Sequence, residues 1–335
     1  MFGLFKRKER REEQKRHERP ADPPQLYSFH VSYYDRLDIR DPNDGPPEVH
    51  LMNGREFAMK TWPEVRKIIF TDEPVKLDRM HFDASMEQDG SVTAWYEKET
   101  MYVTSGRKGV PIKAPRDSRC MFLARPNLET VDFRNLDFST AEEMSTMFGC
   151  CPKLRYLDLS GMDVSNVTCF NEMFGECPKL RYLNLSGWDT RKCRNYDKMF
   201  LNCECLRVVD LSHFDTTSAP ALSATHMFSG CKRLEAVILG NFHVKVPDED
   251  QRARFWAVMA LDCSDMFQYT ENLSTLVATD PRIIAEFKKD DIAISPVRNV
   301  IKPSEWSPKV AEEKDIKVEL DVYDWDNVYD PSQAK

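Results

Sequence analysis

Ten cysteines and seven histidines carry the most latent chemistry in this 335-residue chain. An even thiol count fits disulfides, Cys203-x-Cys205 and Cys150-Cys151 could open a metal site, and Cys231 near His226 could pair a nucleophile with a base. The metal and catalytic readings need further residues that the sequence does not supply, and the disulfide reading, which spacing does not forbid, is disfavoured because no Sec-type signal is visible. Zinc needs a matching Cys or His set at ligand spacing, yet His17, His30, His50, His81, His213, His226 and His243 are dispersed. No glycine-rich phosphate loop, no H-E-x-x-H and no G-x-S-x-G element occurs. The expectation is a chain without catalytic residues, metal or cofactor.

Four cysteines instead obey a different rule. Cys151, Cys177, Cys203 and Cys231 each stand three residues before a leucine, and Leu128, Leu154, Leu180 and Leu206 recur every 26 residues. The same step relates Met121-Phe122, Met147-Phe148, Met173-Phe174 and Met199-Phe200. The series continues to Met227-Phe228 and to Met266-Phe267 after insertions of two and thirteen residues. A period of this size predicts stacked units that bury a shared core. Within one unit, Leu157 and Leu159 alternate with Tyr156, Asp158 and Ser160, as a short strand requires. Phe170, Met173, Phe174 and Cys177 then follow at helical spacing, so each unit reads as strand plus helix. The cysteine column falls in the core, where reduced, inert thiols are expected. Asp163, Asp189 and Asp215 read as caps of the next segment.

The phrases YLDLSGMDVSNVTCFNEMFGEC (Tyr156 to Cys177) and YLNLSGWDTRKCRNYDKMFLNC (Tyr182 to Cys203) resemble the BspA-like leucine-rich repeats of bacterial surface proteins and mycoplasma lipoproteins. GSVTAWYEKETMYVTSG and IKAPRDSRCMF are similar to the segment that leads into such arrays. The resemblance spans about half the chain and implies a curved binding solenoid, with no ligand specified. The predicted fold is therefore α/β: a leucine-rich-repeat solenoid of 26-residue strand-helix repeats, with an N-terminal α/β cap and a C-terminal helical cap. The boundaries are 1–25 for a charged tail and Pro-rich linker, 26–116 for the cap, 117–280 for the array and 281–335 for a C-terminal helix and acidic tail. An insertion at about 245–262 reads as an amphipathic helix bearing Phe255 and Trp256. In the cap, FHVSYYD, EVHLMNG and KIIFTD read as strands and WPEVRKI, Trp62 to Ile68, as a short helix.

Relatives of this kind are exported, whereas MFGLFKRKERREEQKRHERP has no apolar core of signal-peptide length, and no apolar run near 18 residues occurs. A cytoplasmic location is expected, with the cell surface or secretion by a route lacking a Sec-type signal as the alternative. A net charge of -8 argues against nucleic acid as partner. Phe2, Leu4 and Phe5 followed by Lys6, Arg7 and Lys8 could give weak contact with an anionic membrane.

Strand alternation selects the outward columns. Tyr156 and Tyr182 lie beside Asp158, Asn184 and Asp210, and with Trp256 of the insertion they form the predicted partner-binding set. The functional expectation is a non-catalytic protein–protein interaction module that presents a sheet face to a protein partner. An adhesin-like surface protein and a membrane-tethered adaptor are the alternatives.

Overall fold

The protein is seen here in a computed structural model that describes residues 48–76, 78–218, 223–244, 263–289 and 299–307. All of these fall in the unit Pro46–Lys335; the unit Met1–Gly45 lies outside them. The chain enters through β1 (Val49–His50) and α1 (Gly54–Lys60), then β2 (Lys67–Thr71), β3 (His81–Asp83), β4 (Thr93–Glu97), β5 (Thr100–Thr104) and β6 (Ile112–Lys113). Next come β7 (Thr130–Asp132) and β8 (Leu136–Asp137). One five-stranded sheet runs β3-β4-β5-β2-β7, antiparallel across β3, β4 and β5 and parallel from β5 through β2 to β7. A smaller parallel sheet runs β1-β6-β8.

The repeats follow as β9 (Tyr156–Asp158), β10 (Tyr182–Asn184), β11 (Val208–Asp215), β12 (Ala236–Asn241) and β13 (Thr275–Val277). After α2 (Pro281–Phe287) the chain returns as β14 (Asn299–Ile301). Tyr156 pairs with Tyr182, Val208 with Ala236, Ala236 with Thr275 and Thr275 with Asn299, all in parallel. The inserted residues change the sequence distance between partners and leave the register of the strand starts intact, with one irregularity in β11 between Leu211 and Asp215. One hydrophobic cluster runs without a break from Val49 to Phe287.

The strand-helix repeat predicted from sequence is not what forms. The described chain is mostly β strand in several sheets, with two seven-residue α-helices and one short 3-10 turn, Pro303–Glu305. The Met-Phe segments are turns. The cause is backbone handedness: Thr146 and Cys150, Glu172 and Glu176, Lys198 and Asn202 all have φ between +52° and +61°. Two left-handed residues four apart in every unit interrupt any α-helix, at a cost of roughly 1–2 kcal/mol each. What offsets that cost is bonding between units. Phe122 N–H donates to Met147 O at 2.8 Å, Phe148 N–H to Met173 O at 2.8 Å and Phe174 N–H to Met199 O at 2.9 Å. A helix would have used those groups within the segment. Apolar spacing of three and four residues arises equally from such a turn, which is why periodicity misled.

The flanks need the same correction. Trp62 to Ile68 is not a helix; the N-terminal helix is α1, which starts eight residues before that window and is capped by Asn53, which accepts from Glu56 N–H at 3.0 Å. Asn53 and Glu56 make a reciprocal capping pair, since Asn53 Nδ2 also donates to Glu56 Oε2 at 2.9 Å. The described part of the N-terminal region is thus sheet with one short helix rather than an α/β cap. No helical cap closes the other end among the described residues: α2 packs Phe287 edge-on against Phe267 at 6.0 Å, and β14 then extends the sheet.

Candidate functional site

Inside the stack, aromatic rings and thiols form two ladders. Phe122, Phe148, Phe174, Phe200, Phe228 and Phe267 stack with centroids 5.0–5.8 Å apart and interplanar angles of at most 17°. That interval is close to the roughly 4.8 Å between adjacent strands, so the backbone ladder sets the ring ladder. The cysteine column sits beside it. Cys151 Sγ donates to Phe122 O at 3.1 Å, Cys177 to Phe148 O at 3.0 Å, Cys203 to Phe174 O at 3.1 Å and Cys231 to Phe200 O at 3.1 Å. Each thiol therefore satisfies a carbonyl one unit away. All ten cysteines are free. Burial pushes the Cys203 thiol well up and that of Cys231 up to about 12. A thiol so placed is a poor nucleophile, and His226 faces Asp265 at 4.0 Å instead. Among the described residues no group of three or more His, Cys, Asp or Glu is arranged to hold a metal ion.

Exposure varies along the columns that alternation assigns to the outward side, with Thr130, Asp132, Ala236 and Ile238 buried. Tyr156, Asp158, Tyr182 and Asn184 are half-buried and Asp210 is exposed. The carboxylates and the amide are partly spent on their own turns: Asp158 Oδ1 accepts from Ser160 N–H at 3.0 Å, Asn184 from Ser186 N–H at 3.1 Å and Asp210 from Ser212 N–H at 2.9 Å. Asp163, Asp189 and Asp215 do the same for Ser165, Arg191 and Thr217 at 3.0, 3.2 and 2.9 Å. Burial pushes the Tyr182 hydroxyl up from its ordinary value. Trp256, the insertion at 245–262, the acidic tail and the N-terminal Phe2, Leu4, Phe5, Lys6, Arg7 and Lys8 lie outside the described residues.

Along the stack the outward face changes character. The units of β9 and β10 offer tyrosine and polar groups, whereas Ala236, Ile238 and Val277 are buried. Trp306, which follows the 3-10 turn, packs on Ala236 and on the cluster of Ile238, Val277 and Ile301, as Val208 also does. The chain thus covers the later half of this face itself.

Two concavities flank the uncovered half. Between the first and second units Arg155 N–H still bonds Glu129 O at 3.1 Å, but β7 pairs with β2 and β9 with β10. The strands part there and leave a cleft of about 490 Å³ lined by Lys67, Asp132, Arg134, Asp158 and Ser160 among others. Its charges are balanced, with Arg134 forked onto both oxygens of Asp132 at 2.7–3.1 Å. Burial lowers the Lys67 ammonium from its ordinary value.

The second is a groove of about 680 Å³ where the strands begin. Its walls carry Arg155, Lys179, Arg181, Arg207 and Arg233 beside Tyr156, with Glu235 as the only carboxylate among the described lining residues. Arg207 forks onto that carboxylate at 2.8–3.1 Å. Among the described residues no carboxylate pairs with Arg155, Lys179 or Arg233. Sequence reasoning passed over these cations because a net charge of -8 averages them away. The signal was present all the same: Arg155, Arg181 and Arg207 recur every 26 residues, each directly after a repeat leucine.

Residues 117–242 are similar to the family described as Mycoplasma protein of unknown function, DUF285. That match covers well under half of the chain and includes the inner ladders, the tyrosines and most of the basic groove. No curated protein matches the chain. No helix among the described residues is long and apolar enough to cross a membrane.

Proposed function

We propose that this is a non-catalytic binding protein, whose stacked parallel strands hold Tyr156 and Tyr182 as a rigid surface for a protein partner. One observation carries the reading: the two tyrosines are direct register partners on adjacent strands, half-buried and fixed by a backbone ladder. Such side chains offer large contact area at little cost in rotamer freedom. The inner groups have no chemistry to spare, since the thiols bond carbonyls and the rings bond each other. Kinship with BspA-like bacterial proteins belongs to this reading, supported by the repeat phrases and by the DUF285 similarity over residues 117–242. A cytoplasmic setting, with reduced thiols, is its companion proposal.

Affinity capture from native lysate with the wild type and a Tyr156→Ala, Tyr182→Ala double variant tests the face. The expected outcome is loss of captured partners by the variant with its cooperative unfolding retained. Equal recovery by both proteins would falsify this assignment of the surface.

A further inference from the structure

We propose that the basic groove of Arg155, Lys179, Arg181, Arg207 and Arg233 beside Tyr156 is the docking site for this chain's own acidic segment Glu319–Asp330. That segment lies outside the described residues; its sequence alone enters here. It reads ELDVYDWDNVYD, with carboxylates at Glu319, Asp321, Asp324, Asp326 and Asp330, no lysine or arginine, and aromatic rings at Tyr323, Trp325 and Tyr329.

Three observations select this occupant. The first is charge. Among its described lining residues the groove sets five cations around a single carboxylate on a protein of net charge -8, so an acidic ligand meets a local field opposite to that of the whole. Arginine forks accept carboxylates two oxygens at a time, and Tyr156 supplies a ring against which an aromatic residue can lie.

The second is where the described chain stops. Trp306 and Val208 both pack on Ala236, and Arg207 and Glu235, the chain neighbours of Val208 and Ala236, line the groove. The chain is thus delivered to the edge of the groove at Ser307. From there to Glu319 an extended chain reaches at most about 40 Å. The groove from Arg207 to Arg155 crosses the unpaired step from β11 to β10 and one paired interval of roughly 5 Å from β10 to β9. Reach is ample, and because the segment is tethered its local concentration is high.

The third is polarity. A nucleic acid is the other polyanion that such a groove could attract, but its phosphates continue past any short cluster. One pleat away stand Asp158 and Asp210, which would repel a continuing backbone. A peptide with five carboxylates ends within the basic patch.

This inference deepens the binding reading, because Tyr156 belongs to both: docked in cis, the segment would cover part of the face that an outside partner needs. Its test requires no outside partner, so the two can fail separately. Isotopically heavy and light full-length protein are mixed and treated at low salt with a carbodiimide that joins amines to carboxylates without a spacer. Linked peptides are then read by mass spectrometry. Lys179 is expected to join to carboxylates of Glu319–Asp330 within single chains. The yield should fall about fivefold or more in an Arg155→Glu, Arg181→Glu variant and at about 0.5 M salt. Lys232 and Glu204, 2.6 Å apart, give an internal link that should persist in the variant and so report an intact stack. Absence of the Lys179 links while that control forms overturns the proposal. Links joining heavy to light chains overturn it in favour of a second copy, and single-stranded RNA retained by the wild type but not by the variant overturns it in favour of nucleic acid.

Discussion

The inner ladders and the basic groove share one 26-residue register, yet they spend their polar groups in opposite ways. Inside, every thiol of the Cys151, Cys177, Cys203 and Cys231 column is committed to a phenylalanine carbonyl and every ring to its neighbours. At the strand starts, the same repetition aligns cations, of which Arg155, Lys179 and Arg233 pair with no carboxylate among the described residues. Repetition alone therefore does not distinguish architecture from recognition. What distinguishes them is whether the next copy satisfies the group or only reproduces it.

The contrast can be broken most severely from the inside. Phe174→Ala removes a ring held between Phe148 and Phe200 at 5.6 Å on each side and should cost about 3–5 kcal/mol, read as a lowered urea midpoint. Cys177→Ala is smaller. It leaves the buried Phe148 carbonyl without its thiol donor and should cost about 1–3 kcal/mol by the same measurement.

A third change separates the two regions by pH. Asp197 is buried, and burial raises its carboxyl above the ordinary value while Oδ1 accepts from Ser223 Oγ at 2.5 Å and Thr225 N–H at 2.8 Å. A raised folded value means that its contribution is fully present below the unfolded carboxylate range, near pH ~3.9, and is lost as pH rises through the folded value. Asp197→Asn keeps the acceptor and removes the charge. The position one unit earlier is already Asn171, whose Nδ2 bonds Asp197 O at 3.2 Å. Urea midpoints of wild type should therefore fall relative to the variant between about pH 4 and pH 7. A constant difference across that interval would show that Asp197 titrates as it does in the unfolded chain.

The smallest effect on folding is expected at the groove. Arg155→Glu with Arg181→Glu alters two exposed side chains and should move stability by only about 0.5 kcal/mol. A loss comparable to that of Cys177→Ala would mean that these cations are architecture too, and the contrast would disappear.

Much of this was legible from residue types and spacing. Leu154, Leu180 and Leu206 gave the register, the alternation around Leu157 gave the inward and outward sides, and the cysteine interval identified core thiols. The helical reading of Phe170, Met173, Phe174 and Cys177 failed because left-handed φ at Glu172 and Glu176 leaves no mark in apolar spacing. Neither residue is glycine, so even turn chemistry stayed silent. The basic groove was missed for another reason: its residues come from different units, and a net charge cannot record how five cations are arranged.

By itself, then, the sequence determined that copies must stack and which side chains share a column, because a fixed period forces equivalent residues into equivalent places. The tertiary structure decided what each column does. Only in three dimensions does a cysteine find the phenylalanine carbonyl of another unit, do β7 and β9 part to leave a cleft, and does Trp306 pack on the outward Ala236. These outcomes depend on distances between residues far apart in the chain, set by hydrogen bonding between units and by the close packing of the rings they align.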